Sequence, residues 1–364
     1  MINSFSNHDG KEMKKSLCVF LILLVACKSN PILQNKNLRL SQPSLTMETL
    51  MQDTLSIRAI LIDKNKVWFA ANKNKWGYYD LKQHKKVVHT IDLDQLHLEF
   101  RSIAQTKESV FILSIGNPAI LIKINKLDLS YQVVYKEIHE NVFYDSMQFW
   151  NDKEGIAIGD PIEDCFATLF TRDGGTTWQK RACSELPKLE QGEAAFAASN
   201  TSICIKGGNT FVVSGGKKAS VLVSSNKGKT WRKFTTPIVQ GQTMTGIFSA
   251  DFYTKNLGYI VGGNYENPLD NNLNKALTLD GGVTWNLKAT NKGFGYASCV
   301  QFIPGSNGEK LVTVGSTGIY YSGNRGEDWI KLSNENELYS IRFQDKKTAF
   351  ASGKNKLVQI KFEY

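Results

Sequence analysis

Short apolar runs, separated by polar and glycine-rich segments, recur along most of the chain. The runs occupy residues 66–71, 109–114, 155–159, 210–215, 258–262, 311–315 and 348–353. Each is rich in β-branched or aromatic residues and has the length of a buried strand rather than of a helix. No segment with helical periodicity of any length follows residue 30. The pattern therefore predicts an all-β protein.

A tryptophan ends each of four similar strings between residues 171 and 329. The strings at 171–178 and 278–285 share the form Thr-x-Asp-Gly-Gly-x-Thr-Trp, and those at 224–231 and 322–329 are looser copies. Their tryptophans are roughly 50 residues apart, which is the period of a propeller blade rather than of a helical repeat. The strings resemble the Asp-box, or BNR repeat.

These strings predict tight turns between strands. An aspartate or asparagine in the third position can accept hydrogen bonds from backbone amides across the turn. The tryptophan begins the next strand, and we expect it to pack between neighbouring sheets. The residues with this predicted structural role are Asp173, Trp178, Asn226, Trp231, Asp280, Trp285, Asn324 and Trp329.

The runs and turns together divide the chain into repeating units. The units start near residues 54, 98, 142, 193, 245, 296 and 338. The last unit has room for about three strands, and we expect the segment around residues 46–52 to supply the missing strand and close the ring. The sequence therefore predicts a seven-bladed β-propeller with Asp-box repeats over residues 46–364.

A basic and then apolar segment near the N-terminus has the form of an export signal. Lys14 and Lys15 precede an apolar run over residues 17–26, which is too short to span a bilayer, and Cys27 follows. The string Leu24-Val-Ala-Cys27 resembles a bacterial lipobox, in which the cysteine sulfur carries a diacylglycerol. The alternatives are an ordinary signal peptide that is cut elsewhere and a buried strand.

The lipobox interpretation predicts a signal peptide over residues 1–26, a lipid on Cys27 and a polar tether over residues 27–45. Position 28 is lysine, so the aspartate of the usual inner-membrane retention signal is missing. We therefore expect a monomeric, exported outer-membrane lipoprotein of a Gram-negative-type bacterium. The protein could face either the periplasm or the cell surface.

The composition permits a large core and excludes several classes of function. The chain is 41% hydrophobic and has a formal net charge of +10. The positive excess is scattered lysine rather than one basic block, so we expect no nucleic-acid partner. No cysteine or histidine spacing matches a metal site, and no Ser/His/Asp arrangement, phosphate-binding loop or dinucleotide motif is present. We expect no metal, no cofactor and no catalytic residue.

Candidate binding residues come from the rim of the central channel, where the innermost strands begin. These strands share one pattern of apolar alternation, which places their first residues at one level, and two loops that follow second strands lie near that level. The candidates are Arg58, Arg101, Asp145, Asp160, Glu193, Asn264, Tyr265, Tyr296, Ser298 and Tyr339. Charges that open apolar strands need partners. Arg58 and Arg101 could form ion pairs with Asp145 and Glu193, or the ring could bind a ligand or protein; the sequence leaves both open.

Cysteine positions permit one bridge, and the sequence leaves open whether it forms. Cys165 and Cys183 are equally distant from Gly174, at the centre of the first tryptophan hairpin. That symmetry places them opposite each other on paired strands, and export permits a disulfide between them. Cys204 and Cys299 lie in apolar strands and are expected to be buried thiols.

Several non-repeat strings are similar to bacterial relatives of the photosystem II stability/assembly factor family. They lie at residues 143–150, 155–161, 192–199, 258–263 and 295–300. The resemblance implies a non-catalytic seven-bladed assembly factor that holds a membrane-protein client through a patch of arginines. Such relatives are often described as oxidoreductases, yet this chain has no redox cofactor motif. We expect an exported, lipid-anchored propeller that binds a protein or peptide partner at the cell envelope.

The alternative is a glycan-binding propeller or a sialidase-like glycoside hydrolase, since Asp-boxes also occur in sialidases. Those enzymes usually carry a Phe/Tyr-Arg-Ile-Pro string before the first box. The nearest match here is Phe100-Arg101-Ser102-Ile103, which lacks the proline. If the protein were an enzyme, we would expect a glycosidase rather than an oxidoreductase.

Overall fold

The computed structural model describes residues 43–364, apart from residue 94. Over this part the chain consists of β-strands joined by turns, with one short 3-10 helix at Cys183–Glu185. No helix among the described residues is long and apolar enough to cross a membrane. The predicted signal peptide, the lipidation site Cys27 and the tether as far as residue 42 lie outside the described residues.

The strands are numbered in chain order. The first half of the described chain contains β1 (Ser44–Asp63), β2 (Lys66–Ala71), β3 (Lys75–Asp80), β4 (Lys85–Thr90), β5 (Glu99–Gln105), β6 (Ser109–Ile115), β7 (Ala119–Asn125), β8 (Tyr131–Glu137), β9 (Tyr144–Phe149), β10 (Gly155–Pro161), β11 (Phe166–Thr171), β12 (Gln179–Lys180), β13 (Glu193–Ala194) and β14 (Ile203–Lys206). The second half contains β15 (Asn209–Val213), β16 (Gly215–Gly216), β17 (Ser220–Ser224), β18 (Arg232–Thr235), β19 (Thr245–Phe252), β20 (Gly258–Asn264), β21 (Lys275–Thr278), β22 (Asn286–Leu287), β23 (Cys299–Phe302), β24 (Leu311–Gly315), β25 (Gly318–Ser322), β26 (Ile330–Ser333), β27 (Leu338–Phe343) and β28 (Thr348–Glu363).

These strands form six antiparallel sheets, which are the blades of a propeller. Four sheets have four strands each: β5 to β8, β9 to β12, β23 to β26, and the set β14, β15, β17 and β18. A fifth sheet has the order β13-β16-β19-β20-β21-β22. The sixth joins both ends of the described chain in the order β27-β28-β1-β2-β3-β4.

The predicted all-β propeller is confirmed, but the prediction of seven blades is wrong: the structure has six. The first and last repeating units do not form separate sheets. Strand β1 is continuous, and its residues 44–56 pair with β28 whereas its residues 57–63 pair with β2. One backbone therefore joins the strands of the last unit to those of the first, and counting repeats in the sequence gives one blade too many.

The same strand closes the ring, as expected for residues 46–52. Thr46 lies opposite Lys361, and Gln52 lies opposite Lys356. Pairing the start of the propeller with its end leaves neither strand as a long unpaired edge.

Apolar side chains fill the spaces between neighbouring blades. Val110, Phe111, Ile112 and Leu113 of β6 are all buried, because a blade is covered on both faces. This explains why the runs in the sequence are continuously apolar rather than alternating. Aromatic pairs add to the packing between blades; the rings of Phe211 and Phe252, for example, stack with centroids 3.5 Å apart.

The four tryptophan turns share one hydrogen-bond pattern. Asp173 Oδ1 accepts the backbone N–H groups of Thr176 and Thr177, each at 3.0 Å, and the Thr171 hydroxyl at 2.9 Å. The equivalent acceptors in the other turns are Asp280, Asn226 and Asn324. The tryptophans beside these turns, Trp178, Trp231, Trp285 and Trp329, pack in the apolar clusters between blades. The aspartate and asparagine side chains therefore stabilise the turns, and the tryptophan side chains stabilise the packing beside them.

Cys165 and Cys183 are joined by a disulfide, with their Cα atoms 5.6 Å apart. The bridge ties the residue before β11 to the 3-10 helix. Cys204 and Cys299 are buried thiols, and burial raises the pKa of Cys204. 

Residues 197–202, which precede β14, cross the centre of the propeller. The Ser199 hydroxyl donates to the carbonyl oxygen of Ser298 at 2.6 Å, and the Thr201 hydroxyl donates to Ser249 Oγ of β19 at 2.8 Å. Arg342 of β27 donates to the carbonyl oxygen of Ser199 at 2.8 Å. We call residues 197–202 the central segment.

The side chain of Asn200 connects the central segment to two blades through three hydrogen bonds. Its Nδ2 donates to the carbonyl oxygen of Ile103 in β5 at 2.7 Å. Its Oδ1 accepts the backbone N–H of Met147 in β9 at 2.9 Å and the Ser146 hydroxyl at 3.2 Å. Asn200 is buried, so these bonds satisfy polar groups of two blades that water does not reach.

We predict that Asn200→Gly lowers the free energy of unfolding by roughly 2–4 kcal/mol, because buried donors and acceptors on β5 and β9 lose their partner. Glycine tolerates the φ of 58° at this position, so backbone strain does not add to the effect. Urea unfolding followed by tryptophan fluorescence measures the change. Asn307→Gly is the matched control, because Asn307 has a φ of 54° and an exposed side chain. Equal effects of the two substitutions would contradict a structural role for Asn200.

Candidate functional site

A cavity of about 340 Å³ opens at one end of the central channel. It is lined by Arg58, Arg101, Phe143, Asp160, Thr243, Met244, Phe248, Tyr265, Tyr296 and residues 194–198. The last of these overlap the central segment, which therefore forms the floor. We call this cavity the arginine cavity.

Register shifts in the inner strands position several of its side chains. The ladder between β1 and β2 skips Arg58, that between β5 and β6 skips Arg101, and that between β19 and β20 skips Phe248. The same shift occurs at Asp145 in β9 and at Tyr339 in β27. A bulge of this kind bends the strand and redirects the side chain of the extra residue. These residues, which lie at matching positions of the inner strands, therefore all lie at β-bulges. Together the bulges form a ring around the channel.

Aromatic rings form one wall of the arginine cavity. Phe196 stacks on Phe248 with ring centroids 3.8 Å apart, and Tyr296 meets Phe248 edge-on at 4.8 Å. Tyr265 lies edge-on to Tyr296 at 5.1 Å and is 47% exposed. The wall is thus buried at its base and open to solvent at its outer ring, which suits contact with an apolar or aromatic group of a ligand.

Contacts with other residues hold the two arginine side chains in place, and each guanidinium group retains N–H donors for a ligand. Arg58 Nη1 donates to the carbonyl oxygen of Ala198 at 3.3 Å, and its guanidinium lies 4.2 Å above the ring of Tyr339. Its buried Nε has no acceptor among the described residues. Arg101 Nε donates to Glu99 Oε1 at 2.7 Å, and both side chains are partly exposed.

The ion pairs considered in the sequence analysis do not form. Within the described residues, neither Arg58 nor Arg101 lies within 4.0 Å of a carboxylate oxygen of Asp145 or Glu193. Glu193 is fully buried and pairs instead with Lys233 at 2.6 Å, while Ser214 donates a hydroxyl hydrogen bond to it, also at 2.6 Å. The apolar alternation of the strands does not reveal Lys233 as the partner, because it lies in the outer strand β18.

Two carboxyl groups lie together beside the arginine cavity. Burial raises the pKa of Asp145 well above its usual range, the neighbouring Asp160 raises it further, and Arg101 lowers it. The amide of Ala197 also lowers this pKa, although neither oxygen of Asp145 has a partner with the geometry of a hydrogen bond among the described residues. Burial raises the pKa of Asp160 to about 6, against the lowering effect of the Ala195 N–H, which donates to Asp160 Oδ1 at 2.9 Å.

The structure thus brings some of the candidates together and separates others. Arg58, Arg101, Asp160, Tyr265 and Tyr296 line the arginine cavity. Asp145 and Tyr339 do not line the cavity, although Tyr339 contacts the guanidinium of Arg58. The Ser298 hydroxyl donates to the carbonyl oxygen of Tyr339, and Asn264 accepts backbone N–H groups within its own loop.

The candidate set derived from the sequence lacks two aromatic residues and one arginine. Phe196 and Phe248 form the base of the wall, and Arg342 holds the central segment. A signal for Phe196 exists in the sequence, because it is the one large residue among alanines at 194–198. No group of three metal-ligating side chains is found in the described part of the chain.

No protein-family model and no curated protein matches this chain. Solved structures with the same fold include YCF48, a photosystem II assembly factor, bound to a D1 peptide; it is 12% identical, with a TM-score of 0.62, over 88% of this chain and 97% of the other. YCF48 from Cyanidioschyzon merolae is 12% identical, with a TM-score of 0.60, over 87% and 98% of the two chains. U3-55K is 11% identical, with a TM-score of 0.57, over 86% and 98%.

These neighbours support a YCF48-like propeller fold. At such low identity the likeness shows the fold alone, because propellers of one architecture carry unrelated functions. Function must therefore be argued from the residues of the arginine cavity.

We predict that Asp160→Asn flattens the pH dependence of stability. The folded state holds the Asp160 proton more tightly than the unfolded chain, so stability falls as the pH rises from about 4 through about 6. The neutral amide removes this loss, and the free energy of unfolding between about pH 4 and pH 8 should change by roughly 1–3 kcal/mol less than in the unmodified protein. Urea unfolding at each pH measures it. Asp92→Asn, at an exposed carboxylate, is the control; an identical pH profile for both variants would contradict the prediction.

Proposed function

We propose that this chain is an exported, lipid-anchored, non-catalytic propeller that binds a polypeptide segment of a partner protein at the cell envelope. The observation that carries the proposal is the arginine cavity itself. It combines two guanidinium groups with donors available, an aromatic wall and a mouth open to solvent. Arginine and aromatic side chains are the residues that dominate binding at protein interfaces.

The chemistry of the cavity suits a peptide that carries an acidic and an apolar group. Guanidinium donors recognise a carboxylate with two parallel hydrogen bonds, and Arg58 and Arg101 are placed by bulges on rigid inner strands. The ring of Tyr265 can cover an apolar side chain next to that carboxylate. The solved structure of YCF48 with a D1 peptide supports the proposal, since a propeller of the same fold binds a peptide.

The carboxyl groups favour binding over hydrolysis. Glycosidases use a pair of carboxyl groups that flank the bond to be broken. Asp160 is the one carboxylate among the described residues that line the arginine cavity, and Asp145 behind it has no exposed surface. The pair therefore does not present two carboxyl groups to a bound sugar.

We predict that a photocrosslinking amino acid at Tyr265 captures a defined polypeptide in the native envelope, and that Arg58→Gln with Arg101→Gln reduces this capture at least tenfold, since each charged hydrogen bond is worth roughly 1.5–3 kcal/mol. Mass spectrometry identifies the captured segment, and calorimetry with the synthetic peptide measures its affinity.

Two controls accompany this experiment. The same crosslinker at Tyr131, which is 39% exposed on the outer part of a blade, should not capture the segment. Arg232→Gln, at an exposed arginine of β18, should leave capture unchanged. Capture of a glycan alone, or hydrolysis of a fluorogenic sialoside by the purified protein, would overturn the proposal.

A further inference from the structure

A larger groove of about 660 Å³ lies at the end of the propeller away from the arginine cavity. It is formed by the turns that join β1 to β2, β3 to β4, β5 to β6 and β7 to β8. Arg58 and Asp63 show the separation, because they lie at opposite ends of the inner part of β1, roughly 17 Å apart at the rise of a strand. The two sites therefore belong to different faces.

Lysines outnumber carboxylates around this groove. Asp63, Asp80 and Glu108 also line it, and Asp63 is paired with Lys126. Four of the lysines have no carboxylate partner in the part of the chain that the structure describes. The lysines concerned are Lys64, Lys66, Lys82 and Lys107. Within the described residues, none of their ammonium groups lies within 4.0 Å of a carboxylate oxygen. Lys126 differs, because it pairs with Asp63 at 2.8 Å and donates to Gln105 Oε1 at 2.7 Å. We call the site formed by the four unpaired residues the lysine groove.

Apolar side chains form the floor and the edge of the lysine groove. Trp68 lines the groove with 1% of its surface exposed, and its indole N–H has no acceptor among the described residues. Leu127, on the turn after β7, is 93% exposed. A hydrophobic side chain held in water beside unpaired ammonium groups is typical of a surface that meets the membrane interface.

The described chain begins on the same face as the lysine groove. Ser44 pairs with Glu363, and the N–H of the preceding Phe362 donates to the carbonyl oxygen of Lys347 in the turn between β27 and β28. That turn follows an inner strand, as the turn between β1 and β2 does, so the two turns share one end of the ring. A lipid attached through the segment before Ser44 would bring this face towards the bilayer.

We propose that the lysine groove binds the headgroups of anionic phospholipids and holds this face against the membrane. The proposal rests on the lipid anchor of the proposed function. Each lysine near an anionic surface adds a favourable interaction that salt screens, and the ammonium donors match the phosphate oxygens. We favour a membrane over an acidic protein as the occupant because Ser44, the first strand residue, lies on the same face as the lysine groove.

The test uses the full lipidated protein in vesicles of phosphatidylcholine, with or without roughly 30% phosphatidylglycerol. Because the lipid holds the protein on both vesicles, hydrogen exchange at residues 63–66 and 105–109 reports contact of the groove. We expect exchange to be slowed roughly fivefold on the anionic vesicles and restored by high salt. Lys64→Gln with Lys107→Gln should abolish the difference, whereas Lys217→Gln with Lys218→Gln, on the opposite face, should retain it.

Equal exchange on the two vesicles, or a difference that survives in the Lys64→Gln and Lys107→Gln variant, would overturn the proposal. If the chain carries no lipid, pelleting with anionic but not neutral vesicles supports the groove, and pelleting with neither overturns it. Protection by a polyglutamate peptide but not by anionic vesicles would show an acidic protein site and also overturn it. Peptide capture at Tyr265 is measured separately, so failure of the arginine cavity is distinguishable from failure of the lysine groove.

Discussion

The structure depends on the hydrogen bonds that the central segment makes across the propeller axis. Inner strands of a propeller have an edge without a neighbouring strand, and their polar groups there need partners away from water. Asn200, Ser199 and Thr201 supply such partners to several blades at once. The segment that satisfies these groups also blocks the channel, and its first residues form the floor of the arginine cavity. The depth of the site therefore follows from a structural requirement at the axis.

The ring of bulges directs charged and aromatic side chains of the inner strands into the arginine cavity. In an uninterrupted strand, successive side chains point to alternate faces and would contact the neighbouring blades. The register shifts at Arg58, Arg101 and Phe248 release one side chain from each strand without disturbing the packed residues on either side. The buried acid Asp145 sits at the same kind of shift; its carboxyl group has no hydrogen-bond partner among the described residues, and Arg101 is the nearby cation that lowers its pKa. In each of these strands, one residue faces the cavity while its neighbours pack in the core.

Local patterns in the sequence predicted the strands, the tryptophan turns and the pairing of residues 46–52 with the end of the chain, because each depends on neighbours in the sequence or on repeat spacing. The number of blades was wrong because it depends on whether two units share a backbone, which β1 does between Gln52 and Ser56. The level of Arg58 and Arg101 was predictable from apolar alternation. Their bulges were not, because a bulge of one residue leaves the apolar alternation unmarked. The role of Asn200 and the pairing of Glu193 with Lys233 were not either, since both join segments that are far apart in the sequence.

The two proposed surfaces differ in how their charges are held, and chain topology accounts for the difference. The arginines sit on inner strands and are partly buried, Arg58 against Tyr339 and Ala198 and Arg101 beside Glu99, so a ligand must enter the cavity to reach them. The lysines sit on exposed turns, where their field extends about one Debye length into the solvent. Antiparallel strands place these turns at the end of the ring opposite the bulges. Under the proposed lipid anchor, the lysine turns would face the bilayer and the arginine cavity would stay open to a partner approaching from the other side.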